Sequence, residues 1–546
     1  MFNIIYTIII ELREDREEAM TMGYFLNPTS AQKKFKRLVT SKYYVDKTNI
    51  INIINEEVCG HDPYICLTKP RRFGKTSIVE MLDYYYGKAY EGDNIFASEQ
   101  LNIAVDDIGY EDNLHQYNVI NIDFNKLFIT YSYEEGIKIL EDKLIEELVA
   151  EFDLKIKDND LAYVLDACND EFIFLIDEWD YIFNHNGFEQ YHDKFLQYLV
   201  YLFKGRGYVA LVYMTGILPI KQYNRGSALN MFEEYTVLND SIFEEYFGFT
   251  EQEVKKITGH QDKIKLEELS SWYNGYITSE GNRIYNPRSV ISALKRGKCQ
   301  SYWTKTGSQE EIFQLLQFNI KDTKQDIIKM LSGEHLKMRV RDTIRAGENK
   351  FETKEKIYAA LITYGLLGYH NGEIYIPNRE LEEEFFVAIQ KKEFGDDVAK
   401  LLLKSQQLLD YTLNYDADNV AAIIEEIHDK DTVLIAYNDE RSFSYIVKYA
   451  YISANNWFYM QHEETSGKGI ADFIFYPKEQ GYPGIIIELK AEEGSLDKQV
   501  EKAMKQIKDK NYVQRLQKMG VTSVVAVALV YNKENKKHKC KIEKIQ

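Results

Sequence analysis

The chain has 546 residues, a net charge of −19 and a hydrophobic content of 45%. Its length predicts about three or four structural units, and its composition is that of a folded protein without long disordered linkers. The acidic balance argues against a protein that coats nucleic acid through bulk charge, although locally basic stretches occur at 33–42, 69–75 and 533–541.

The first 22 residues carry a short apolar run, MFNIIYTIII. The run is too short for a bilayer span, which needs about 20 residues, and it lacks the basic leader and small-residue cleavage site of a signal peptide. We interpret 1–22 as an N-terminal extension, with a start at Met20 or Met22 as a plausible alternative. No other segment has the pattern of a membrane span, and the five cysteines show neither metal nor disulfide spacing. We therefore expect a cytoplasmic protein without membrane association.

A phosphate-binding loop is predicted near residue 70. Residues 63–68, PYICLT, have the pattern of a short buried strand, and 76–87, TSIVEMLDYYYG, have the apolar spacing of a helix. The loop between them ends in Gly74-Lys75-Thr76-Ser77, which is the context that phosphate binding needs. Backbone N–H groups of this stretch would contact the phosphates. Lys75 would reach the β- and γ-phosphates, and the Thr76 hydroxyl would bind Mg²⁺.

Some features of this region leave alternatives open. Lys69 stands where such a loop begins with glycine, so a basic strand-to-helix turn is the alternative to a nucleotide site. Arg71 and Arg72 either contact phosphate oxygens, which suit a guanidinium, or form a solvated basic turn. Upstream, 46–48 (Asp-Lys-Thr) either clasps a nucleotide base or an interface, or forms an N-terminal cap against the sheet, which we prefer.

A second buried strand ends in acidic residues. The stretch 171–183, EFIFLIDEWDYIF, is continuously apolar up to Asp177-Glu178, as in a central parallel strand buried on both faces. Because ligands bind at the carboxyl ends of such strands, Asp177 is predicted to hold Mg²⁺ through water and Glu178 to polarise the attacking water. The alternative is an acidic start of the next helix.

Three further stretches are predicted to complete a five-stranded P-loop sheet: 117–124, 207–217 and 231–239. The first ends in Asp123. The second ends in Thr215-Gly216, where Thr215 would sense the γ-phosphate. We therefore predict that this half binds ATP or GTP, with hydrolysis as a further expectation.

Helical periodicity dominates 290–430. Within it, 354–390 has the pattern of a helix, a hairpin at Asn371-Gly372 and a second helix, which resembles a small winged-helix-like module. Winged helices bind DNA or proteins, and the acidic composition of 380–390 favours protein packing here.

The C-terminal stretch has the pattern of a metal-dependent nuclease. A strand predicted at 467–477 contains Asp472, and after a Pro/Gly turn a strand at 485–494 carries Glu488 and Lys490 on one face. Hairpin pairing would bring Asp472 beside Glu488, and two carboxylates with a backbone carbonyl bind Mg²⁺. Lys490 would orient the activated water or stabilise the developing negative charge. The alternative is an edge strand protected by its charges.

Several long motifs make the chain resemble the bacterial AAA-ATPase-like family, from about Gly23 to the end. They are YYVDKTNII (43–51), TKPRRFGKTS (68–77), FLIDEWDYIF (174–183), YMTGILPIKQY (213–223) and WYNGY…IYNPRSV (272–290). The resemblance implies a loop that lacks the first glycine, with Lys69 and Thr76 at positions where family members commonly have Arg and Ser.

The same resemblance implies a C-terminal PD-(D/E)XK nuclease domain. Predicted helices at 438–454 and 495–512 and a strand at 523–532 agree with its order of elements. The resemblance implies Glu440 as a further metal ligand, for which an acid in a first helical turn is the alternative. It also implies Gln506 and Tyr512 as the Gln…Tyr element that follows the site.

We therefore predict an α/β chain with an N-terminal extension (1–22), a P-loop domain (23–289), a helical and winged-helix-like linker (290–430) and a nuclease-like domain (431–546). The expected function is an ATP- and Mg²⁺-dependent nuclease acting on DNA. The alternative is a nucleotide-regulated switch whose nuclease-like domain binds without cleaving. A homo-oligomer or an unknown protein partner is also open.

Overall fold

The structure is a computed structural model. It describes residues 23–98, 101–103, 110–156, 159–220, 222–223, 226–227, 229–302, 323–341, 343–348, 351–390, 396–430, 440–462, 472–479, 481–509, 512–518 and 520–545. The predicted N-terminal extension, 1–22, lies outside these residues.

Backbone contacts divide the chain into two units. The first comprises Met1–Tyr302 and Met338–Gly372, and the second comprises Trp303–Lys337 and Glu373–Gln546. This division does not place 290–430 in a unit of its own, and the predicted boundaries at 289 and 430 stay predictions.

Strands are numbered along the chain. They are β1 (Tyr64–Thr68), β2 (Asn118–Asp123), β3 (Phe172–Asp177), β4 (Val209–Gly216), β5 (Gln222–Tyr223), β6 (Gly226–Ser227), β7 (Glu233–Tyr235), β8 (Phe249–Thr250), β9 (Tyr276–Ile277), β10 (Arg283–Tyr285), β11 (Leu336–Lys337), β12 (Gly368–His370), β13 (Glu373–Tyr375), β14 (Phe458–His462), β15 (Phe473–Pro477), β16 (Gly484–Glu492), β17 (Val524–Asn532) and β18 (His538–Ile545).

The α-helices follow the same order. They are α1 (Ser30–Val39), α2 (Ile50–Asn55), α3 (Lys75–Tyr86), α4 (Tyr110–Asn113), α5 (Phe124–Phe128), α6 (Tyr133–Glu151), α7 (Leu161–Ala167), α8 (Tyr181–Asn184), α9 (His192–Phe203), α10 (Glu251–Thr258), α11 (Leu266–Tyr273), α12 (Pro287–Arg296), α13 (Thr323–Leu331), α14 (Lys354–Thr363), α15 (Arg379–Ile389), α16 (Asp396–Leu413), α17 (Ala417–Lys430), α18 (Glu440–Ala450), α19 (Leu496–Asp509) and α20 (Tyr512–Lys518).

The first unit contains a five-stranded sheet in the order β2-β3-β4-β1-β7. All four neighbouring pairs are parallel. Every residue of β1, β3 and β4 is buried, which explains why these stretches are almost continuously apolar. The predicted parallel α/β sheet is therefore confirmed, with the predicted strand at 231–239 reduced to the three residues of β7 at the edge.

Helix ends in the first unit follow local sequence signals. Helix α12 has the side chain of Asn286 as its cap, Pro287 at its first turn and Gly297 in the left-handed conformation after its end. The predicted turn at Asn371-Gly372 is also left-handed at both residues, with φ of 50° and 80°, as a two-residue hairpin turn requires. Helices α14 and α15 lie on either side of that turn along the chain.

The second unit contains a five-stranded mixed sheet in the order β14-β15-β16-β17-β18. Strands β16 and β17 are parallel, and the other neighbouring pairs are antiparallel. One core lies on the face of Ile485, Ile487 and Leu489, with side chains from α16, α17 and α18. The other core includes Ile486 and side chains from α19 and α20. The C-terminal α/β fold is therefore as predicted.

Three details of this unit differ from the predictions. The helix expected at 495–512 ends at Asp509, and Tyr512 begins a separate helix. Asp472 immediately precedes β15 instead of lying inside a strand. Strands β14 and β18 were not predicted, and β18 takes up part of the basic stretch 533–541.

The basic stretch becomes an edge strand because its side chains alternate. His538 and Cys540 are buried, whereas Lys539 and Lys541 point outward and pair with Asp497 and Glu501 of α19. These two charges are therefore paired within the unit. No helix within the described part of the chain combines the length and apolar character that crossing a bilayer requires.

Two histidines meet in the core beside β18. The Nδ1 atom of His428 lies 2.9 Å from Nε2 of His538, and the carboxylate of Glu425 lies 3.7 Å from Nδ1 of His538. Burial lowers the pKa of His538 to about 4, and His428 adds to this effect, while Glu425 opposes it. Glu425 also forms a salt bridge with the exposed side chain of Lys537.

We expect this histidine pair to make the protein less stable in acid. The unfolded histidine titrates near a pKa of 6.5, so below that pH the unfolded chain binds more protons than the folded one. The contribution of His538 to the free energy of unfolding is therefore complete above pH 6.5 and is lost as the pH decreases towards 4. At pH 5 the free energy of unfolding should be lower than at neutral pH by about 2 kcal/mol. Urea unfolding at pH 7.5 and 5 measures it. The decrease in the free energy of unfolding between the two pH values should be smaller in His538→Gln than in the wild type. It should be unchanged in His335→Gln, whose ring is half exposed. An equal loss in His538→Gln would refute the assignment.

Candidate active sites

The predicted phosphate-binding loop connects the buried strand β1 to helix α3. Gly74 precedes the helix in the left-handed conformation, with φ of 101°, which glycine adopts without strain. The Lys75 side chain is buried, and its amine donates hydrogen bonds to the carbonyls of Lys69 and Pro70 at 2.9 and 3.1 Å. The loop therefore surrounds the lysine amine.

Lys69, at the position where a glycine was expected, has a structural partner that the sequence did not reveal. Its amine forms a salt bridge with Asp240, and the two side chains are 7% and 0% exposed. The other oxygen of Asp240 accepts hydrogen bonds from the N–H groups of Ile242 and Phe243 at 2.9 and 2.7 Å. The start of the loop is thus anchored by a buried ion pair between residues far apart along the chain.

Asp177 lies at the carboxyl end of β3 and accepts a hydrogen bond from the hydroxyl of Thr76. Burial raises the pKa of Asp177, although Thr76 and the nearby Lys75 lower it. Asp123, at the end of β2, is its direct neighbour in the sheet register and adds a second negative charge. The structure therefore brings Lys75, which was predicted to contact the phosphates, close to Thr76 and Asp177, which were predicted to hold Mg²⁺.

Glu178 follows in a left-handed backbone conformation, with φ of 51°. This conformation is uncommon for a residue with a side chain and is often found at functional sites. Burial raises the pKa of Glu178 to about 7; Lys75 and Arg71 lower it, and Asp180 and Asp177 raise it. A carboxyl group with a pKa near neutral pH suits proton transfer from water. Its charge interaction with Lys75 and Arg71 places it at the same end of the sheet as the loop.

Three further residues were predicted to contact the nucleotide: Arg72, Ser77 and Thr215. The Arg72 guanidinium donates to the carbonyl of Tyr302 at 3.0 Å, and its backbone is left-handed with φ of 72°. Ser77 is half-buried in the first turn of α3. The Thr215 hydroxyl is fully buried and, within the described residues, has no hydrogen-bond partner. The roles of these residues stay predictions.

Asp180 is a structural acid beside the site. One of its oxygens accepts from the N–H groups of Ile217 and Leu218 at 3.1 and 2.8 Å, just after β4. A Cβ on Gly216 would clash with the other oxygen of Asp180. This contact fixes the turn after β3 against the end of β4, and it explains the glycine in the Thr-Gly pair.

The second candidate site lies in the mixed sheet. Phe473 pairs with Ile487 across β15 and β16, so Asp472 lies beside Glu488. The backbone N–H of Leu489 donates to Asp472 at 2.6 Å. The Lys490 amine donates to Glu488 at 2.9 Å and to the carbonyl of Leu489 at 2.8 Å. The two predicted carboxylates, the predicted lysine and the Leu489 carbonyl therefore form one buried group.

The remaining predicted residues of this unit lie nearby along the chain. Glu440 begins α18, but its side chain lies outside what the structure describes. Gln506 is half-buried on α19, and Tyr512 is buried at the start of α20. Gln499 was not predicted. Its amide donates to the carbonyls of Glu492 and Glu493 at 3.1 and 3.2 Å, which ties α19 to the end of β16.

Both groups fit Mg²⁺ by donor chemistry, since they offer carboxylate, hydroxyl and carbonyl oxygens and no soft ligand. Across the described ranges, no cluster of three or more His, Cys, Asp and Glu side chains is spaced to hold a metal. Mg²⁺ is usually bound by one or two carboxylates, with water and substrate oxygens completing the coordination.

Two family models match the two stretches of the chain that contain these sites. A family model described as predicted AAA-ATPase matches residues 30–224, and one described as PD-(D/E)XK nuclease superfamily matches 438–541. No curated protein matches the sequence.

Two solved structures are similar over much of the chain. A Walker-type ATPase of Pyrococcus abyssi is 12% identical over 61% of this chain and 94% of its own, with a TM-score of 0.32. The ORC2 protein of Aeropyrum pernix, solved with ADPNP and ADP, is 11% identical over 67% of this chain and 95% of its own, with a TM-score of 0.27. At these scores neither structure supports a conclusion about activity.

Proposed function

We propose that this chain, which carries a predicted AAA-ATPase domain and a PD-(D/E)XK nuclease superfamily domain, binds and hydrolyses ATP with Mg²⁺ and cleaves DNA at a second Mg²⁺ site. One observation carries the proposal. Each unit places a buried lysine beside a buried carboxylate: Lys75 lies near Asp177 at the carboxyl end of β3, and Lys490 contacts Glu488 within β16. Such clusters are costly in a core, and they suit the binding of a polyanion with a metal ion.

In the ATPase unit, the N–H groups at the start of α3 and the Lys75 amine would bind the phosphates. On binding, the amine would exchange the carbonyls of Lys69 and Pro70 for phosphate oxygens. Thr76 and Asp177 would hold Mg²⁺, and Glu178 would accept a proton from the attacking water. Arg71 faces the same carboxyl group and would contact the terminal phosphates.

In the nuclease unit, Asp472, Glu488 and the Leu489 carbonyl would hold the metal. When bound, Mg²⁺ neutralises phosphate charge and lowers the pKa of a coordinated water. Lys490 would orient that water and stabilise the negative charge that develops on the phosphate. DNA is proposed as the substrate because the domain belongs to a nuclease superfamily.

Purified protein should be incubated with single- and double-stranded DNA, with Mg²⁺, Mn²⁺ or EDTA, and with or without ATP. The proposal predicts cleavage that requires the divalent ion and changes with ATP. ATP turnover without cleavage under any of these conditions would instead support a nucleotide-regulated switch that binds DNA or a protein. The absence of both activities would refute both functions.

Glu178→Gln is expected to lower the rate of ATP hydrolysis about 100-fold while ATP still binds, because the amide cannot accept the proton of the water. Bound ATP should accumulate, which filter binding with labelled ATP measures. Glu151→Gln, at an exposed helix end, is the matched control and should turn over ATP normally. Normal turnover in Glu178→Gln would show that another group activates the water.

A further inference from the structure

A cavity of about 120 Å³ opens beside the phosphate-binding loop, entirely within the first unit. Gly74 and Ser77 line it, and these two residues flank Lys75 and Thr76. The cavity therefore begins next to the groups proposed to hold the phosphates. It is far larger than the roughly 10–15 Å³ that a single water requires.

The cavity walls are mainly aromatic and aliphatic. Rings come from five separate segments: α1, the loop after it, the phosphate-binding loop, the turn before β8, and β8 itself. They belong to Phe35, Tyr43, Tyr44, Phe73, Tyr246 and Phe249. Apolar side chains that include Met81 on α3 and Ile291 on α12 form the rest of the wall. A wall of this kind fits a flat, weakly polar ring system.

Three polar side chains of the lining already have partners. The Tyr43 hydroxyl donates to the carbonyl of Leu294 at 3.3 Å, and the Tyr44 hydroxyl donates to Asp46 at 3.0 Å. The Lys47 amine donates to Glu253 at 2.8 Å. These side chains offer the cavity their apolar surfaces, while their hydrogen-bonding atoms are held by the protein.

We propose that this cavity holds the purine base of the nucleoside triphosphate, packed between aromatic and aliphatic side chains and not selected by hydrogen bonds to its edge. The inference rests on the proposed nucleotide site. It assigns the role of holding the base to Tyr44, Tyr246 and Ile291, while Asp46 and Lys47 support the wall through their own pairs. Packing of this kind selects ring size more than ring substituents, so it separates purines from pyrimidines better than ATP from GTP.

Titration calorimetry with Mg²⁺ and four ligands tests the proposal: ATP, GTP, UTP and inorganic tripolyphosphate. In the wild type, GTP should bind within about tenfold of ATP, because an apolar pocket discriminates poorly between rings of equal size. UTP should bind about tenfold or more weakly than ATP, since the smaller ring makes less contact. A preference of more than about 100-fold between ATP and GTP would overturn the proposed mode of recognition.

Two variants test the location. Ile291→Trp fills the cavity, and Tyr246→Ala removes one of its walls; each is expected to weaken ATP binding about tenfold or more. Tripolyphosphate, which has no base, should bind both variants like the wild type. Ile129→Trp, at a position 72% exposed and outside the cavity, is the control and should bind ATP normally. Circular dichroism and thermal unfolding check that each variant folds.

The outcomes separate this inference from the proposed function. Unchanged ATP affinity in both folded variants would overturn the base site while leaving the phosphate site intact. Equal losses for ATP and tripolyphosphate would also count against it, because the loop itself would then be disturbed. A wild-type protein that binds neither ligand would overturn the nucleotide site and the base site together.

Discussion

Lys75→Ala is expected to reduce ATP hydrolysis about 1000-fold and to abolish measurable nucleotide binding. The amine is buried and held by two loop carbonyls, so it already lies where phosphate oxygens would arrive. Removing a positioned donor of this kind from an enclosed site costs about 100- to 1000-fold. Steady-state phosphate release and titration calorimetry with ATP and Mg²⁺ measure the two effects.

Lys33→Ala is the control for this substitution. It removes the same side chain from an exposed position of helix α1. The control should retain both the wild-type rate and the wild-type affinity. If Lys75→Ala folded and bound ATP like the wild type, Lys75 would not belong to the nucleotide site, and the loop would be the basic turn considered as the alternative.

Lys490→Ala is expected to lower DNA cleavage about 1000-fold without loss of ATP hydrolysis. The Lys490 amine contacts Glu488, whose side chain is 1% exposed, and the carbonyl of Leu489. Its charge therefore lies where a phosphodiester would meet the metal, and loss of such a charge costs about 100- to 1000-fold. Gel assays of DNA cleavage in Mg²⁺ and in Mn²⁺ measure the effect.

The matched control for Lys490→Ala is Lys502→Ala. Lys502 is 61% exposed on α19 and pairs with Glu492 at the end of the same strand. This variant should cleave like the wild type. Cleavage that persisted in a folded Lys490→Ala would remove the nuclease assignment from this cluster. Since Glu488 loses its cation in that variant, thermal unfolding must be compared first.

The parts of the fold that the sequence predicts are those with local causes. Strand β1, the loop and α3 follow one another within 25 residues, and each has its own periodicity or glycine signal. The same holds for Asp177 and Glu178, which directly follow a continuous apolar run. Glu488 and Lys490 share a face because strand side chains alternate, and β15 pairs with β16 after a short turn.

The partner of Lys69 and strand β18 were not predicted from the sequence. Asp240 and Lys69 are 171 residues apart along the chain, and no motif spans that separation. Strand β18 looked like a basic tail because three of its eight residues are lysines. Its alternation of His538 and Cys540 with lysines was the available signal, and the period of two would have identified an edge strand.

The ion pair between Lys69 and Asp240 has a consequence for how this loop can vary. A glycine at 69, as in the common form of the loop, would leave the buried carboxylate of Asp240 without its cation, and only two N–H groups would then stabilise it. A neutral residue at 240 would isolate the lysine in the same way. Descendants of this sequence are therefore expected to change both positions together or neither. A glycine-first loop then lies at least two substitutions away, across an unstable intermediate.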